Sequence, residues 1–173
     1  MVGHSMGGYI TLAFAEKYPE RLTSFALFHS SAYADNEEKK VARRKNIGFI
    51  LNNGSAKFLA QAIPSLFHEK YKTEHPEGVV ELIERYANFS PQALVSYTEA
   101  MINRPDRTAV LKGSRCPVLF ILGEHDTAIP LQQGLEQCHL PEFSYIYICT
   151  DSGHMGMLEE QAFCTKAVID FLS

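Results

Sequence analysis

A serine between two glycines near the amino end of the chain has the surroundings of an activated nucleophile. Gly3-His4-Ser5-Met6-Gly7 matches the pattern G-x-S-x-G, in which the serine lies on a sharp turn from a strand into a helix. Such a turn projects the hydroxyl outward, and both glycines are expected to let the strand and the helix approach each other. Because N–H groups at a helix start favour developing negative charge, the Met6 N–H is a candidate oxyanion-hole donor. A glycine-rich turn without chemistry is the alternative explanation.

A serine hydroxyl is a weak nucleophile unless a base removes its proton, so a histidine and an acid must follow. Both occur directly after strand-like apolar segments. Asp126 follows Val118–Leu122, and His154 follows Tyr145–Cys149. Because parallel sheets gather functional groups at the carboxyl ends of their strands, Asp126 can orient and stabilise the imidazole of His154. We therefore expect a catalytic set of Ser5 as nucleophile, His154 as base and Asp126 as acid.

Other polar residues compete for these roles. Glu124 and His125 flank the expected acid and are interpreted as loop residues. His29 follows the apolar segment Phe25–Phe28, and we expect it to bind substrate as a hydrogen-bonded residue of the pocket wall rather than act as the base. His4 is expected to be a buried support behind the nucleophile.

Alternating strand and helix patterns must position these groups. Helical spacing begins at Gly7 and stops at Pro19, and further helices are predicted over Leu131–Cys138 and Leu158–Leu172. The three strand-like segments named above are short and continuous, as is typical of strands buried on both faces of a parallel sheet. The sequence therefore predicts an α/β fold with a parallel sheet flanked by helices.

The middle of the chain has a different pattern, because no strand-like segment occurs and amphipathic helical segments follow one another. This change predicts a helical cap over residues 35–107, inserted between core segments 1–34 and 108–173. The predicted helices of the cap are Glu37–Leu51, Ser55–Phe67, Gly78–Asn88 and Pro91–Asn103.

Apolar side chains of this predicted cap are candidate substrate-binding residues. Phe49, Phe58 and Phe67 could line a pocket for the acyl group of a hydrophobic ester. The alternative is that they form the cap's own core, because an amphipathic helix buries an apolar stripe with or without a ligand.

Composition narrows the class of protein. The 173 residues are 46% hydrophobic and carry 16 Lys and Arg against 20 Asp and Glu, a net charge of −4 that is typical of one globular domain. Without clustered positive charge, nucleic-acid and membrane-surface partners are not expected. No apolar stretch approaches the roughly 20 residues that span a bilayer, and no signal-peptide pattern opens the chain, so we expect a cytoplasmic location.

Cysteine and histidine spacing gives no indication of a metal site. The four cysteines show no C-x-x-C pattern, and the seven histidines form no H-E-x-x-H pattern. Buried free thiols are the expected state of the cysteines. We therefore expect no metal and no cofactor.

Three motifs together resemble the α/β-hydrolase superfamily. The resemblance covers essentially the whole chain, as the C-terminal portion of the fold beginning at the nucleophile turn, and it shares the family's chain order of serine, acid, histidine. It implies an esterase-like serine hydrolase with a helical cap and the site residues given above. Glu159 fits a glutamate that follows the family's histidine, whereas Gln161 stands where relatives commonly carry proline. The motifs are GHSMGG at 3–8, GEHDTAIP at 123–130 and SGHMGMLE at 152–159.

The activity that the resemblance implies is hydrolysis of a small-molecule carboxylic ester through an acyl-enzyme. Ser5 argues against dehalogenase and epoxide-hydrolase relatives, which use an aspartate at that position. Lactone opening, thioester cleavage, hydrolysis of a carbon–carbon bond and perhydrolysis use the same catalytic groups and stay open. So does a non-catalytic binding role, because the N-terminal half of the family's fold is absent.

In the family, several strands precede the nucleophile turn, and here only Met1 and Val2 remain of them. Met1 can be an authentic start, an internal methionine or a truncation point. We expect the strand Phe25–Phe28 to lack a neighbour on its inner side, which would leave backbone groups unpaired. A complementing segment or a second copy of the chain is expected to cover that edge.

Overall fold

The structure is a computed structural model that describes residues 1–173. Two compact units divide the chain. The first, which we call the core unit, contains Met1–Tyr33, Leu66–His68 and Asp106–Ser173; the second, the helical unit, contains Ala34–Ser65 and Glu69–Pro105. The predicted cap runs through Leu66–His68, whereas in the structure these three residues group with the core unit.

Four parallel strands form one sheet in the core unit. Their order across the sheet is β1-β2-β3-β4, and each neighbouring pair is parallel. Aromatic and β-branched residues favour these strands because they pack well on a pleated surface. The predicted α/β fold with a parallel sheet is confirmed. The strands are β1 Val2–His4, β2 Phe25–Phe28, β3 Val118–Gly123 and β4 Ser144–Cys149.

Nine α-helices follow or connect the strands. The predicted C-terminal helix is in fact two helices, because the backbone leaves the helical region at Glu160 (φ −130°, ψ 53°). None of the helices is both long and apolar enough to cross a membrane. The helices are α1 Met6–Lys17, α2 Glu37–Ala62, α3 Glu69–Glu74, α4 Pro76–Tyr86, α5 Pro91–Asn103, α6 Thr108–Lys112, α7 Leu131–Leu135, α8 Gly156–Glu159 and α9 Gln161–Leu172.

Two apolar clusters, one on each face of the sheet, make up the interior of the core unit. Because side chains alternate along a strand, Leu27 of β2 and Phe120 of β3 join one cluster, which also contains Leu12 of α1. Leu119 of β3 joins the other cluster together with Cys164 of α9. Every residue of β2 and β3 is buried. These two strands therefore have the burial on both faces that their continuous apolar sequences predict.

The sequence prediction of burial is wrong for β4. Tyr145 is 49% exposed and Ile146 is 46% exposed. β4 is the last strand of the sheet and has a neighbour on one side only. An apolar run therefore marks this strand correctly but does not show that it lies at an edge.

The expectation that β2 lacks an inner neighbour is also wrong. β1 pairs with it in parallel, with Gly3 opposite Leu27 and His4 opposite Phe28. The sheet therefore has a second edge at β1, whose residue Val2 is 43% exposed. Three residues suffice to form this strand because each extends the backbone ladder of β2. That another segment covers the β1 edge stays a prediction.

The helical unit is built on one long helix with a break inside it. α2 spans the predicted helix Glu37–Leu51 and the predicted helix Ser55–Phe67 as far as Ala62, beyond which Ile63–Leu66 forms a 3-10 helix. Gly54 interrupts the helical backbone of α2 with φ 82° and ψ 170°. A positive φ of this kind is readily adopted by glycine. The sequence did not predict α3. The predicted bounds of α5 are confirmed, and the Ser90 hydroxyl caps this helix by accepting the Ala93 N–H at 3.3 Å.

Candidate active site

Ser5 occupies the turn between β1 and α1, and its backbone is strained. Its φ of 50° and ψ of −118° lie outside the regions that non-glycine residues prefer, a conformation that costs on the order of 1–3 kcal/mol. Hydrogen bonds hold the turn. The Ser5 N–H donates to the Phe28 carbonyl at 2.9 Å, and the Ser5 carbonyl accepts the Gly8 N–H at 2.9 Å.

Ser30 is a further support of the turn that no sequence motif indicates. Its hydroxyl donates to the Ser5 carbonyl oxygen at 2.7 Å, across 25 residues of sequence. Its position just after β2, beside the carboxyl end of β1, is the signal that could have identified it. A polar residue after a neighbouring parallel strand lies at the same edge of the sheet as the turn.

Close approach of the backbone explains one glycine of the motif but not the other. A Cβ at Gly3 would overlap the carbonyl oxygen of Gly7, whereas a Cβ at Gly7 would meet nothing within 4 Å. The expectation that Gly7 must be a glycine for close approach is therefore wrong. Gly8 has that requirement instead, because a Cβ there would overlap the side chain of Ser30.

Met6 is the first residue of α1. The amides of a helix's first turn have no acceptor within the helix, and they lie at its positive end. The sequence predicts that the Met6 N–H acts as the oxyanion donor. The role itself stays a prediction.

Asp126 and His154 meet although 28 residues separate them. Each follows the end of a strand, β3 and β4 respectively, and the Nδ1 of His154 lies 2.7 Å from the Oδ2 of Asp126. Asp126 is 5% exposed and His154 is 3% exposed. The other carboxylate oxygen of Asp126 accepts the N–H groups of Ala128 and Ile129, each at 2.8 Å. The carboxylate is thus held from both sides.

Two opposing effects act on the charge of Asp126. Burial by itself raises the pKa of this carboxyl group, but the hydrogen bond with His154, the neighbouring His29 and the N–H of Ile129 outweigh burial and hold the pKa well below its ordinary value. Asp126 is therefore a carboxylate at neutral pH. Because a carboxylate only accepts hydrogen bonds, the Nδ1 of His154 carries a hydrogen and is the donor of the hydrogen bond to Asp126.

His29 contacts the same carboxylate oxygen as His154. Its Nδ1 lies 3.4 Å from the Oδ2 of Asp126, and its side chain is fully buried. This distance exceeds that of a normal N–H···O bond, and neither ring nitrogen of His29 has a hydrogen-bond partner. The prediction of a hydrogen-bonded wall residue is thus wrong in its hydrogen bonding. The substrate-binding role stays a prediction.

The remaining competitors of the expected base and acid are placed differently. His4 lies behind the histidine loop, where its Nε2 donates to the His154 carbonyl at 2.8 Å. Burial lowers the pKa of His4 to about 4, so its ring is neutral at pH 7. Glu124 and His125 are exposed loop residues, and the ring of His125 stacks on that of His68 at 3.7 Å.

The three aromatic candidates for substrate binding lie in different units. Phe67 belongs to the core unit and is 5% exposed. Phe49 and Phe58 belong to the helical unit and are half-buried. Their predicted role in an acyl pocket stays a prediction.

Three potential metal ligands also meet here, because donor atoms of His29, Asp126 and His154 lie within 4.8 Å of one another. Zinc bonds of about 2.0–2.1 Å at tetrahedral angles would hold two ligand atoms about 3.3 Å apart. The 2.7 Å between Asp126 and His154 is shorter and fits a hydrogen bond. The arrangement suits proton transfer better than metal binding, and the absence of a cofactor stays a prediction.

The chain belongs to the α/β-hydrolase fold family, whose sequence profile matches residues 1–161. Among curated relatives, an uncharacterized hydrolase, YugF, of Bacillus subtilis is 25% identical over 99% of this chain and 64% of its own. The 2-hydroxy-6-oxo-6-phenylhexa-2,4-dienoate hydrolase of Comamonas testosteroni is 26% identical over 99% of this chain and 62% of its own. The chain thus spans less than two thirds of the length of these relatives.

Solved structures show the same fold. A thermophilic esterase from Thermogutta terrifontis superposes with a TM-score of 0.92 and 29% identity, over 99% of this chain and 63% of the esterase. The enol-lactonase from Burkholderia xenovorans superposes with a TM-score of 0.88 and 25% identity, over 99% of this chain and 64% of the lactonase. The expected resemblance to the α/β-hydrolase superfamily is confirmed.

Proposed function

We propose that the chain carries the catalytic groups of a serine hydrolase that cleaves carboxylic esters. The observation that supports this most is the buried hydrogen bond of 2.7 Å between His154 and Asp126. These residues follow a serine in a strained strand-to-helix turn, in the chain order of the family. A carboxylate, an imidazole and a serine hydroxyl are the groups that acyl transfer needs.

The proposed mechanism follows from which ring nitrogen of His154 carries the proton. With Nδ1 of His154 protonated toward Asp126, its Nε2 is free to accept a proton from the Ser5 hydroxyl. The Ser5 oxygen then attacks the ester carbonyl carbon, and the Met6 N–H donates to the resulting oxyanion. His154 returns the proton to the departing alcohol, which leaves an acyl-enzyme. Water attacks this ester with His154 again as base, and the carboxylic acid and free Ser5 result.

Esters are the proposed substrates because of two relatives at 25% identity or more. One is described as an esterase and the other as an enol-lactonase. A lactone is a cyclic ester, so the same steps open it without loss of an alcohol. Lactone opening is therefore the second candidate reaction. The helical segment 35–107 is proposed to be the cap that selects between substrates.

A fluorophosphonate probe tests the nucleophile, since it reacts with an activated serine. We expect labelling of the wild-type protein at Ser5 and hydrolysis of p-nitrophenyl acetate and butyrate. Ser5→Ala should abolish labelling and lower kcat by about 10⁴-fold or more. Ser173→Ala, at an exposed position after α9 in the core unit, is the matched control and should leave both unchanged. A folded wild-type protein without labelling would favour a non-catalytic binding role.

We also propose that the exposed edge at β1 is paired in the active protein, by a complementing segment or by a second copy. Unpaired strand edges recruit other chains because their N–H and C=O groups lack partners. Light scattering of this chain should then show a species larger than a monomer. Otherwise, the uncovered edge should bind a hydrophobic dye strongly. A monodisperse monomer without dye binding would contradict the proposal.

A further inference from the structure

Two adjacent glutamates hold the backbone on both sides of His154. The Oε2 of Glu160 accepts the Asp151 N–H at 3.0 Å and the Ser152 hydroxyl at 2.6 Å. The Oε2 of Glu159 accepts the Met155 N–H at 2.9 Å. The loop that carries the imidazole is therefore fastened before and after the histidine, by carboxylates at the end of α8 and the start of α9.

Glu159 also reaches a segment that is far away in sequence. Its second carboxylate oxygen, Oε1, accepts the N–H of His68 at 2.6 Å, across 91 residues. The same segment bonds the histidine itself, because the His154 N–H donates to the Leu66 carbonyl at 2.7 Å. Leu66–His68 thus lies directly against the histidine loop, within the core unit.

The segment Leu66–His68 and the histidine loop are tightly packed against each other. A Cβ on Gly153 would lie 2.8 Å from the Leu66 carbonyl oxygen and 2.9 Å from the His68 nitrogen, so a larger residue there would push the two backbones apart. The ring of His68 stacks in turn on His125, with 2° between the ring planes. His125 precedes Asp126, so Leu66–His68 contacts both the acid loop and the histidine loop.

We propose that Glu159 is a positioning residue for His154, acting through the Met155 and His68 amides; this inference rests on the proposed function. Neither amide belongs to a strand, and a carboxylate that accepts both ties the loop to a fixed neighbour. Charge-assisted bonds of this kind are about twice as strong as neutral ones. A base displaced by about 1 Å can lose on the order of 10²-fold in rate.

The alternative role for Glu159 is purely structural, because a carboxylate near a helix start also stabilises the helix. The two roles differ in what they change. A positioning residue alters kcat and the pH profile of the reaction, since the reach and environment of His154 change. A residue that only stabilises α8 alters the free energy of unfolding and leaves the kinetics of the folded protein as they are.

Glu159→Gln and Glu159→Ala test the proposal in graded steps. Glutamine keeps one acceptor oxygen but presents an NH₂ group to the second N–H, whereas alanine removes both acceptors. We expect kcat for p-nitrophenyl butyrate to fall by about 10-fold in the glutamine variant and by about 30- to 100-fold in the alanine variant. KM should stay within about twofold, and the pKa in the profile of kcat/KM against pH should shift.

The matched control is Glu142→Gln, which makes the same chemical change at an exposed position of the core unit, between α7 and β4, and should leave the kinetics unchanged. Amide exchange is an independent readout: the Met155 and His68 amides should exchange faster in both Glu159 variants than in the wild type. If the alanine variant does not fold, the glutamine variant carries the test.

Wild-type kcat and pH profile in folded Glu159→Gln and Glu159→Ala would overturn the positioning role. Unchanged exchange at Met155 and His68 would do the same, whether or not the protein hydrolyses esters. Absence of fluorophosphonate labelling in the wild type would instead contradict the proposed function. Failure of the positioning role and failure of the proposed function are therefore distinguishable.

Discussion

Two buried aspartates, one in each unit, pair with different kinds of basic side chain. Asp126 in the core unit contacts two imidazoles, those of His154 and His29. Asp35 in the helical unit pairs with the guanidinium groups of Arg43 and Arg104. Both carboxylate side chains are fully buried, so burial does not distinguish them.

The difference lies in what the partners can do with a proton. Arginine stays charged at any pH a protein survives, so the pair around Asp35 is a fixed ionic contact. An imidazole gains and loses a proton near neutral pH, so the pair of Asp126 and His154 can pass through a charged state during a reaction. We therefore expect Asp35 to matter for stability and Asp126 for activity.

The largest expected effect is that of Asp126→Asn on activity. An asparagine amide can donate to the Nδ1 of His154, which would leave the proton on Nε2 and block that atom as a base. We expect kcat to fall by about 10⁴-fold, measured with p-nitrophenyl butyrate at pH 7. Asp35→Asn serves as the control and should keep kcat within about threefold; a small loss in the Asp126 variant would contradict the assigned role.

The reverse effect is expected for stability. Asp35→Asn leaves two arginines without their buried counter-charge, and breaking a buried ion pair costs about 3–5 kcal/mol. Arg43 is 23% exposed and Arg104 is 9% exposed, and water screens them in part. We therefore expect a loss of about 2–3 kcal/mol in urea unfolding at pH 7. An unchanged free energy of unfolding would mean that water fully replaces the carboxylate as the partner of the two arginines.

Sequence patterns could predict the site at the strand ends but not its supports. Asp126 and His154 each follow an apolar run, and parallel strands end at one edge, so the local pattern places both residues at that edge. Asp35 reaches Arg104 across 69 residues and Glu159 reaches His68 across 91. No periodicity encodes such a pairing, since it depends on how loops and helices close.

Burial within the sheet was predictable only in part, for a related reason. β3 and β4 both read as continuous apolar runs, yet every residue of β3 is buried and Tyr145 of β4 is half exposed. Strand order decides which strand lies at the edge, and strand order is a property of the whole chain. The break in α2 at Gly54 was visible as a gap between two predicted helices.

A pH titration of stability separates His4 from the two aspartates. The folded pKa of His4, about 4, lies below its ordinary value of 6.5. Its contribution is therefore present above pH 6.5 and is lost as pH falls from 6.5 to 4, by at most about 3 kcal/mol. The pKa values of Asp35 and Asp126 are also lowered, so their contributions are present above about pH 4 and disappear below it.

Comparing the wild type with a His4 variant in urea unfolding between pH 7 and pH 5 isolates the contribution of His4. His4→Gln can still donate to the His154 carbonyl, but it has no proton to gain in this range. We expect the variant to lose most of the pH dependence between 7 and 5 while the steep loss below pH 4 persists. An identical slope in variant and wild type would assign the dependence to another group.

The smallest expected effect belongs to His29, the second imidazole at Asp126. At 3.4 Å from the Oδ2 it adds to the field around the carboxylate but does not replace the bond from His154. A Cβ on Gly156 would lie 2.5 Å from the Nε2 of His29, so the ring has little freedom to turn away. His29→Gln should therefore lower kcat by about threefold to tenfold, in kinetics measured beside Asp126→Asn. A loss as large as that of Asp126→Asn would mean that His29, and not only His154, takes part in proton transfer.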